Sequence, residues 1–159
     1  MTSGTHDYLD DPRNGSILIS INGELFPRDE AKVSVFDSGF MLGDGVWEGI
    51  RLHHGCLLFL NEHIERLYEG AKFIDMDIGL SPGEMIARIG AVLDGNGMTT
   101  DVHIRLMVTR GLKHTPFQGP SVNVGKATVV IAAEYKEPDP AVVARGLKLF
   151  TVHLHRGRP

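Results

Sequence analysis

VWEGIRLHHGCLLFLNEHIERLYEGAKF, Val46 to Phe73, is the stretch on which the fold turns, because its periodicity changes partway along. Val46 to Leu52 and Cys56 to Leu60 are two short runs on either side of His54-Gly55, and they read as a β-hairpin. Beyond them Ile64, Leu67, Tyr68 and Ala71 recur at helical spacing. That spacing predicts a helix over Glu62 to Phe73, with Asn61 as its N-cap. A hairpin running into a helix points to a mixed architecture.

Toward the N-terminus, Ser16 to Ile21 is an apolar, β-branched run. Asn22-Gly23 follows, the strongest short hairpin signal, and then Glu24-Leu25-Phe26. Ala31 to Phe36 reads as a further extended run with Val33 and Val35 on one face. Asp37 to Gly45 is too rich in glycine to be the interior of an element. Toward the C-terminus, Ser81 and Glu84 form a capping-box pair with Pro82 at the first helical position. Met85, Ile86, Ile89, Val92 and Leu93 give that helix a buried face, and Gly95-Asn96-Gly97 stops it. Strands return at Val102 to Val108, Ala127 to Tyr135 and Gly146 to His155. The loop between the first two, Arg110 to Gly125, is long enough to suggest a function. Strands, two helices, then strands predict an α+β fold, with the helices on one face of a largely antiparallel sheet.

Composition narrows the function. With 42% hydrophobic and 23% charged residues, the 159-residue chain has ordinary globular content and can bury a sizeable core. A net charge of -4, with Lys and Arg scattered, argues against nucleic acid as a partner. The single cysteine, Cys56, forms no internal disulfide, which suits a reducing compartment. No apolar run reaches the ~20 residues that span a bilayer, and the polar N-terminus has no signal-peptide core. The expected location is cytoplasmic. Residues 1–15 read as a flexible lead-in.

Individual residues leave alternatives open. Gly43-Asp-Gly45 reads as a structural turn or as a place of close approach to a ligand, and it lacks the Lys and Ser/Thr of a phosphate loop. Arg66 shares a helix face with His63. It reads either as a solvated partner of Glu62 or Glu69, or as a planar fork for phosphate. His103, Arg105 and Met107 share one strand face, which is either solvent-exposed or lines a cavity. The histidines do not form a metal set, and no serine stands in a nucleophile elbow. The last strand runs into residues 155–159 without a closing element. Either the tail is frayed or the chain stops partway through a larger protein, since unpaired edges are normally covered.

These features occur in a fixed order: Ile21-Asn-Gly-Glu24, Asp37-Ser-Gly-Phe40, Gly43-Asp-Gly-Val-Trp-Glu-Gly-Ile-Arg51, Glu62-His-Ile-Glu-Arg-Leu67 and Ile104-Arg-Leu-Met-Val-Thr-Arg-Gly111. The order resembles the class IV (fold-type IV) pyridoxal-phosphate aminotransferases, which include the branched-chain and D-amino-acid aminotransferases and the aminodeoxychorismate lyases. The resemblance covers nearly the whole chain from Ile17. It implies that Arg66 holds the phosphate of pyridoxal 5'-phosphate. Phe40, Leu42 and Trp47 would form an apolar substrate wall, with Leu42 at a position contributed by the partner subunit. Trp47 stands where a Tyr or Phe is usual. His103 and Arg105 match strand positions that face substrate. Thr115 and Phe117 stand where D-amino-acid enzymes carry an Arg and a His, which lowers that reading.

The resemblance also implies what this sequence does not hold. Family members link the cofactor to a lysine as a Schiff base, and none of Lys32, Lys72, Lys113, Lys126, Lys136 and Lys148 matches that position. The lysine is expected after Pro159. Residues 16–136 would then be a small N-terminal domain, and 137–159 a linker and the first strand of a larger C-terminal domain, so these residues alone would be inactive. The expected activity is transfer of an amino group from a hydrophobic or branched-chain amino acid to a 2-oxo acid, in a homodimer or higher homo-oligomer. An aminodeoxychorismate lyase-like activity is the alternative on the same scaffold. A non-catalytic dimerising or ligand-binding domain is the alternative from another class.

Overall fold

The structure is a computed structural model that describes residues 10–137 and 140–154. It divides into two units, Asp11–Lys136 and the two ends of the chain. The larger unit holds eight strands: β1 (Leu18–Ile21), β2 (Glu24–Pro27), β3 (Gly45–His53), β4 (Cys56–Leu58), β5 (Val102–Thr109), β6 (Leu112–Lys113), β7 (Asn123–Val124) and β8 (Thr128–Tyr135). Six of them form one sheet in the order β2-β1-β8-β5-β3-β4, and β6 and β7 pair separately. Each pairing in both sheets is antiparallel.

Alternation along the central strand sorts the two faces. Val102, Ile104, Leu106 and Val108 of β5 are fully buried, whereas His103, Arg105 and Met107 are half-buried on the other side. Strand register carries the buried face to Ile50 and Leu52 of β3 and to Val129, Ile131 and Ala133 of β8. Helices α2 (Leu60–Phe73) and α3 (Pro82–Gly95) cover it. Their buried residues, Ile64, Leu67 and Ala71 with Met85, Ile89, Val92 and Leu93, join the same core. Each fully buried Leu, Ile or Met contributes about 1.5–3 kcal/mol, so this face dominates stability. The opposite face carries Trp47, Arg51, His103 and Arg105 and is covered by neither helix. This is the α+β arrangement that the sequence predicts.

Helix α3 starts where its signals place it: Ser81 Oγ accepts from the Glu84 amide, and Glu84 accepts from the Ser81 amide. Helix α2 starts two residues earlier than expected. Phe59 takes the N-cap position with φ 52° and no side-chain cap bond, so Asn61 lies inside the first turn. The reason is tertiary. Strand β4 ends at Leu58, and one residue must turn the chain into the helix, at a cost of about 1–3 kcal/mol for a bulky residue held in the left-handed region.

Two expected strands are absent from the described residues. Ala31 to Phe36 forms none, and Val33 and Val35 stay exposed. The backbone that follows pairs with the loop instead, Lys113 N–H donating to Phe36 O and Ser38 N–H to Gly111 O. In the second unit, helix α4 (Pro140–Arg145) stands in the stretch expected to be linker. Residues 146–154 carry no hydrogen-bonded ladder, so the strand expected over Gly146 to His155 is not formed in its described part. An extended segment becomes a strand only beside a partner edge. Among the described residues no helix is long and apolar enough to cross a membrane.

Candidate functional site

The Asp37 to Gly45 segment is not all loop. Ser38–Leu42 makes a short helix, α1, capped by Asp37, whose side chain accepts from the Gly39 amide at 2.9 Å and from Thr109 Oγ1 at 2.9 Å. A Cβ at Gly39 would fall 2.3 Å from Thr109 Cγ2, so only glycine lets α1 approach β5 this closely. Gly43 ends the helix with φ 68°. This leaves Phe40 exposed and Leu42 partly so. Asp44 then pairs with Arg110, whose Nε donates to Oδ2 at 2.8 Å and Nη2 to Oδ1 at 3.2 Å. Nη1 and Nη2 of the same arginine also donate to the carbonyls of Asp75 and Ile74, both at 2.6 Å. Gly43-Asp-Gly45 is thus an anchor between the start of β3, the end of β5 and the end of α2.

Nearly two turns into α2, Arg66 meets a buried carboxylate. Glu48 lies on the core face of β3 beside Ile50 and Leu52, and its side chain is 4% exposed. Arg66 Nε donates to Glu48 Oε1 at 2.7 Å, and Nη2 donates to Oε2. His63 Nδ1 lies 2.8 Å from Oε2. Burial by itself would raise the Glu48 carboxyl, but the hydrogen bonds from Arg66 and His63 outweigh it and hold it below the usual glutamate range. The same bond raises Arg66 further above its ordinary value, so this guanidinium is a permanent cation. It remains 69% exposed.

Across the sheet a second group forms. The Arg105 guanidinium lies over the Trp47 ring, 4.3 Å from its centroid. His103 packs beside Gly49 on the same face. Burial pushes the His103 imidazole down, and the cations Arg105, Lys136 and Arg51 push it further, against Glu134. Trp47, His103 and Arg105 are therefore together. Arg66 is anchored from the other side of the strand: its partner Glu48 and the neighbouring Trp47 point to opposite faces of β3. The loop from Arg110 to Gly125 folds into the β6–β7 pair and an open hollow of about 260 Å³ lined by Ser34, Phe36, Leu112, Lys113, His114 and Val124. None of the six candidate residues lines it.

Glu48, which holds Arg66 and His63, is not among the candidates that the sequence singles out. The available signal was its alternation, which places one acid among Val46, Ile50 and Leu52. An acid on a core face needs a partner, because an unpaired buried charge costs several kcal/mol.

The amino-transferase class IV family pattern matches residues 45–159. The chain is 41% identical over 127 residues to branched-chain-amino-acid aminotransferase-like protein 1 of Arabidopsis thaliana, covering 80% of this chain and 23% of that protein. It is 40% identical over 139 residues to a putative branched-chain-amino-acid aminotransferase of Methanocaldococcus jannaschii, covering 87% and 46%. Its fold is similar to that of the T.th. branched-chain amino acid aminotransferase with pyridoxamine 5'-phosphate, with a TM-score of 0.68, 33% identity and coverage of 80% of this chain and 42% of that one. The chain thus spans less than half the length of the relatives it matches.

Proposed function

Because this chain belongs to the amino-transferase class IV family, we propose that its gene product is a pyridoxal-phosphate-dependent aminotransferase acting on a hydrophobic or branched-chain amino acid and a 2-oxo acid. The observation that carries the reading is the Arg66 cation, tied to a buried acid on one side and open to solvent on the other. That arrangement fits the phosphate end of the cofactor, because a dianion is best met by a fixed, permanently charged planar donor. When bound, pyridoxal phosphate supplies the electron sink, and the protein holds and orients it.

The residues of this chain have the following parts. Arg66 binds the phosphate. Trp47, with Phe40 and Leu42, walls an apolar substrate side chain, and His103 and Arg105 present a polar, cationic edge toward its acidic groups. The group that holds the cofactor covalently is a lysine beyond Pro159. Residues 16–136 act as the small domain, and residues 137–159 lead into the larger one. The active form is a homodimer or higher homo-oligomer in the cytoplasm, with the Arg110 to Gly125 loop reaching the neighbouring subunit.

The test is direct. The intact gene product, purified and reduced with borohydride, should carry the cofactor on a lysine beyond Pro159. It should also transfer the amino group of leucine, isoleucine or valine to a 2-oxo acid. A colourless protein that neither retains the cofactor nor transfers an amino group overturns the reading.

A further inference from the structure

The guanidinium of Arg66 has two edges that can each grip an oxyanion, and the structure shows one of them taken. Nε and Nη2 are committed to the two oxygens of Glu48. On the other edge, Nη1 has no hydrogen-bond partner among the described residues, and Nη2 has one further neighbour, His63 Nδ1 at 3.3 Å. The two side chains differ sharply in exposure, 4% for Glu48 against 69% for Arg66. The inner edge is tethered in the protein and the outer edge faces out.

His63 fixes the arrangement further. An ionised carboxylate only accepts hydrogen bonds, so the nitrogen 2.8 Å from Glu48 Oε2 must carry the hydrogen. His63 Nδ1 is therefore a donor, and it does not accept from Arg66 Nη2, 3.3 Å away. The acid holds two donors from one turn of α2, Arg66 and His63, three residues apart. A guanidinium bound side-on by two atoms keeps its plane.

We propose that Glu48 is the positioning residue of the cofactor's phosphate site, setting the plane of Arg66 so that its outer edge meets the phosphate. This rests on the proposed function, and it adds a role for a residue that touches neither cofactor nor substrate. Two effects of Glu48 oppose each other. As a negative charge near an anion site it weakens phosphate binding. As a tether it spares Arg66 the loss of rotamer freedom on binding, worth roughly two- to tenfold in affinity for a long side chain. The proposal is that the tether wins.

The experiment uses the intact gene product stripped of cofactor. Affinity is measured by absorbance titration for pyridoxal 5'-phosphate and, separately, for pyridoxal, which lacks the phosphate. Glu48→Gln should lower the preference for the phosphorylated form at least threefold, with pyridoxal affinity nearly unchanged. A merely structural role moves both affinities together, and a merely electrostatic role raises the preference; either result overturns the proposal. If Glu48→Gln does not fold, His63→Leu decides. It removes one of the two donors holding the carboxylate, so it should lower the same preference by a smaller factor, and an unchanged preference overturns the proposal. If the wild-type protein binds both forms equally or neither, the proposed function fails and takes this inference with it. If the wild type prefers the phosphorylated form and Glu48→Gln does so equally, only the role of Glu48 fails.

Discussion

Arg66 and Arg110 hold their carboxylates in the same way and differ in everything else. Each places Nε and Nη2 on the two oxygens of one acid, Glu48 or Asp44. At Arg110 the remaining donors reach the carbonyls of Ile74 and Asp75 at the end of α2, where a cation also suits the helix dipole. At Arg66 the remaining edge meets solvent. Side-chain exposure reports the difference, 21% for Arg110 and 69% for Arg66. An arginine bound to a carboxylate is thus no sign of function by itself. What its second edge meets decides whether it joins elements of the fold or is left for a ligand.

The strongest way to break this contrast is charge reversal. Arg66→Glu in the intact gene product should lower pyridoxal 5'-phosphate affinity by roughly a hundredfold or more, because it replaces a charge-assisted bond with repulsion. Unchanged affinity in a titration would remove Arg66 from the site. Arg110→Ala is the counterpart. It leaves Asp44 and two helix-end carbonyls without their donor, which should cost about 2 kcal/mol of stability in denaturant unfolding. The preference for pyridoxal phosphate over pyridoxal should not move. A loss of that preference without a loss of stability would reverse the roles given to the two arginines.

Acid sharpens the same comparison with a smaller effect. The folded Glu48 carboxyl titrates below its unfolded value of about 4.3. Its contribution to stability is therefore complete above that value and disappears as pH falls through the lower folded one. Unfolding free energies measured over this range should fall with pH more steeply in the wild type than in Glu48→Gln, and equal slopes would discard the shift. The weakest contrast lies across the sheet. Arg105→Met removes a cation from an exposed tryptophan ring, for a loss of about 0.5–1 kcal/mol. The same change should raise the His103 pKa, followed by NMR, because one of the cations that depress it is gone.

Local signals proved readable in proportion to how local their causes are. The alternation of Val102 to Val108 put the apolar set on the core face and His103 and Arg105 on the other. The Ser81–Glu84 box and Pro82 located the start of α3 to the residue, since both partners lie within one turn. Asn22-Gly23 gave its hairpin, with both residues at positive φ. Val33 and Val35 misled because alternation describes what a strand needs and not whether a neighbour offers an edge. Asn61 misled because β4 stops at Leu58, two residues short of the run read as strand, so the turn into the helix falls on Phe59.

The sequence by itself determined the α+β class, the two helical faces and the motif order that marks the family, because period, capping and turn chemistry act over a few residues. Only the tertiary structure decided which acid holds Arg66, since Glu48 and Arg66 stand 18 residues apart on a strand and a helix. It also decided that Trp47 and Glu48, neighbours in the chain, serve opposite faces of the sheet, and that Arg110 is closed while Arg66 is open. Those are questions of which side chain reaches which. Packing answers them by bringing distant segments within hydrogen-bond distance, where a buried charge without a partner would not be tolerated.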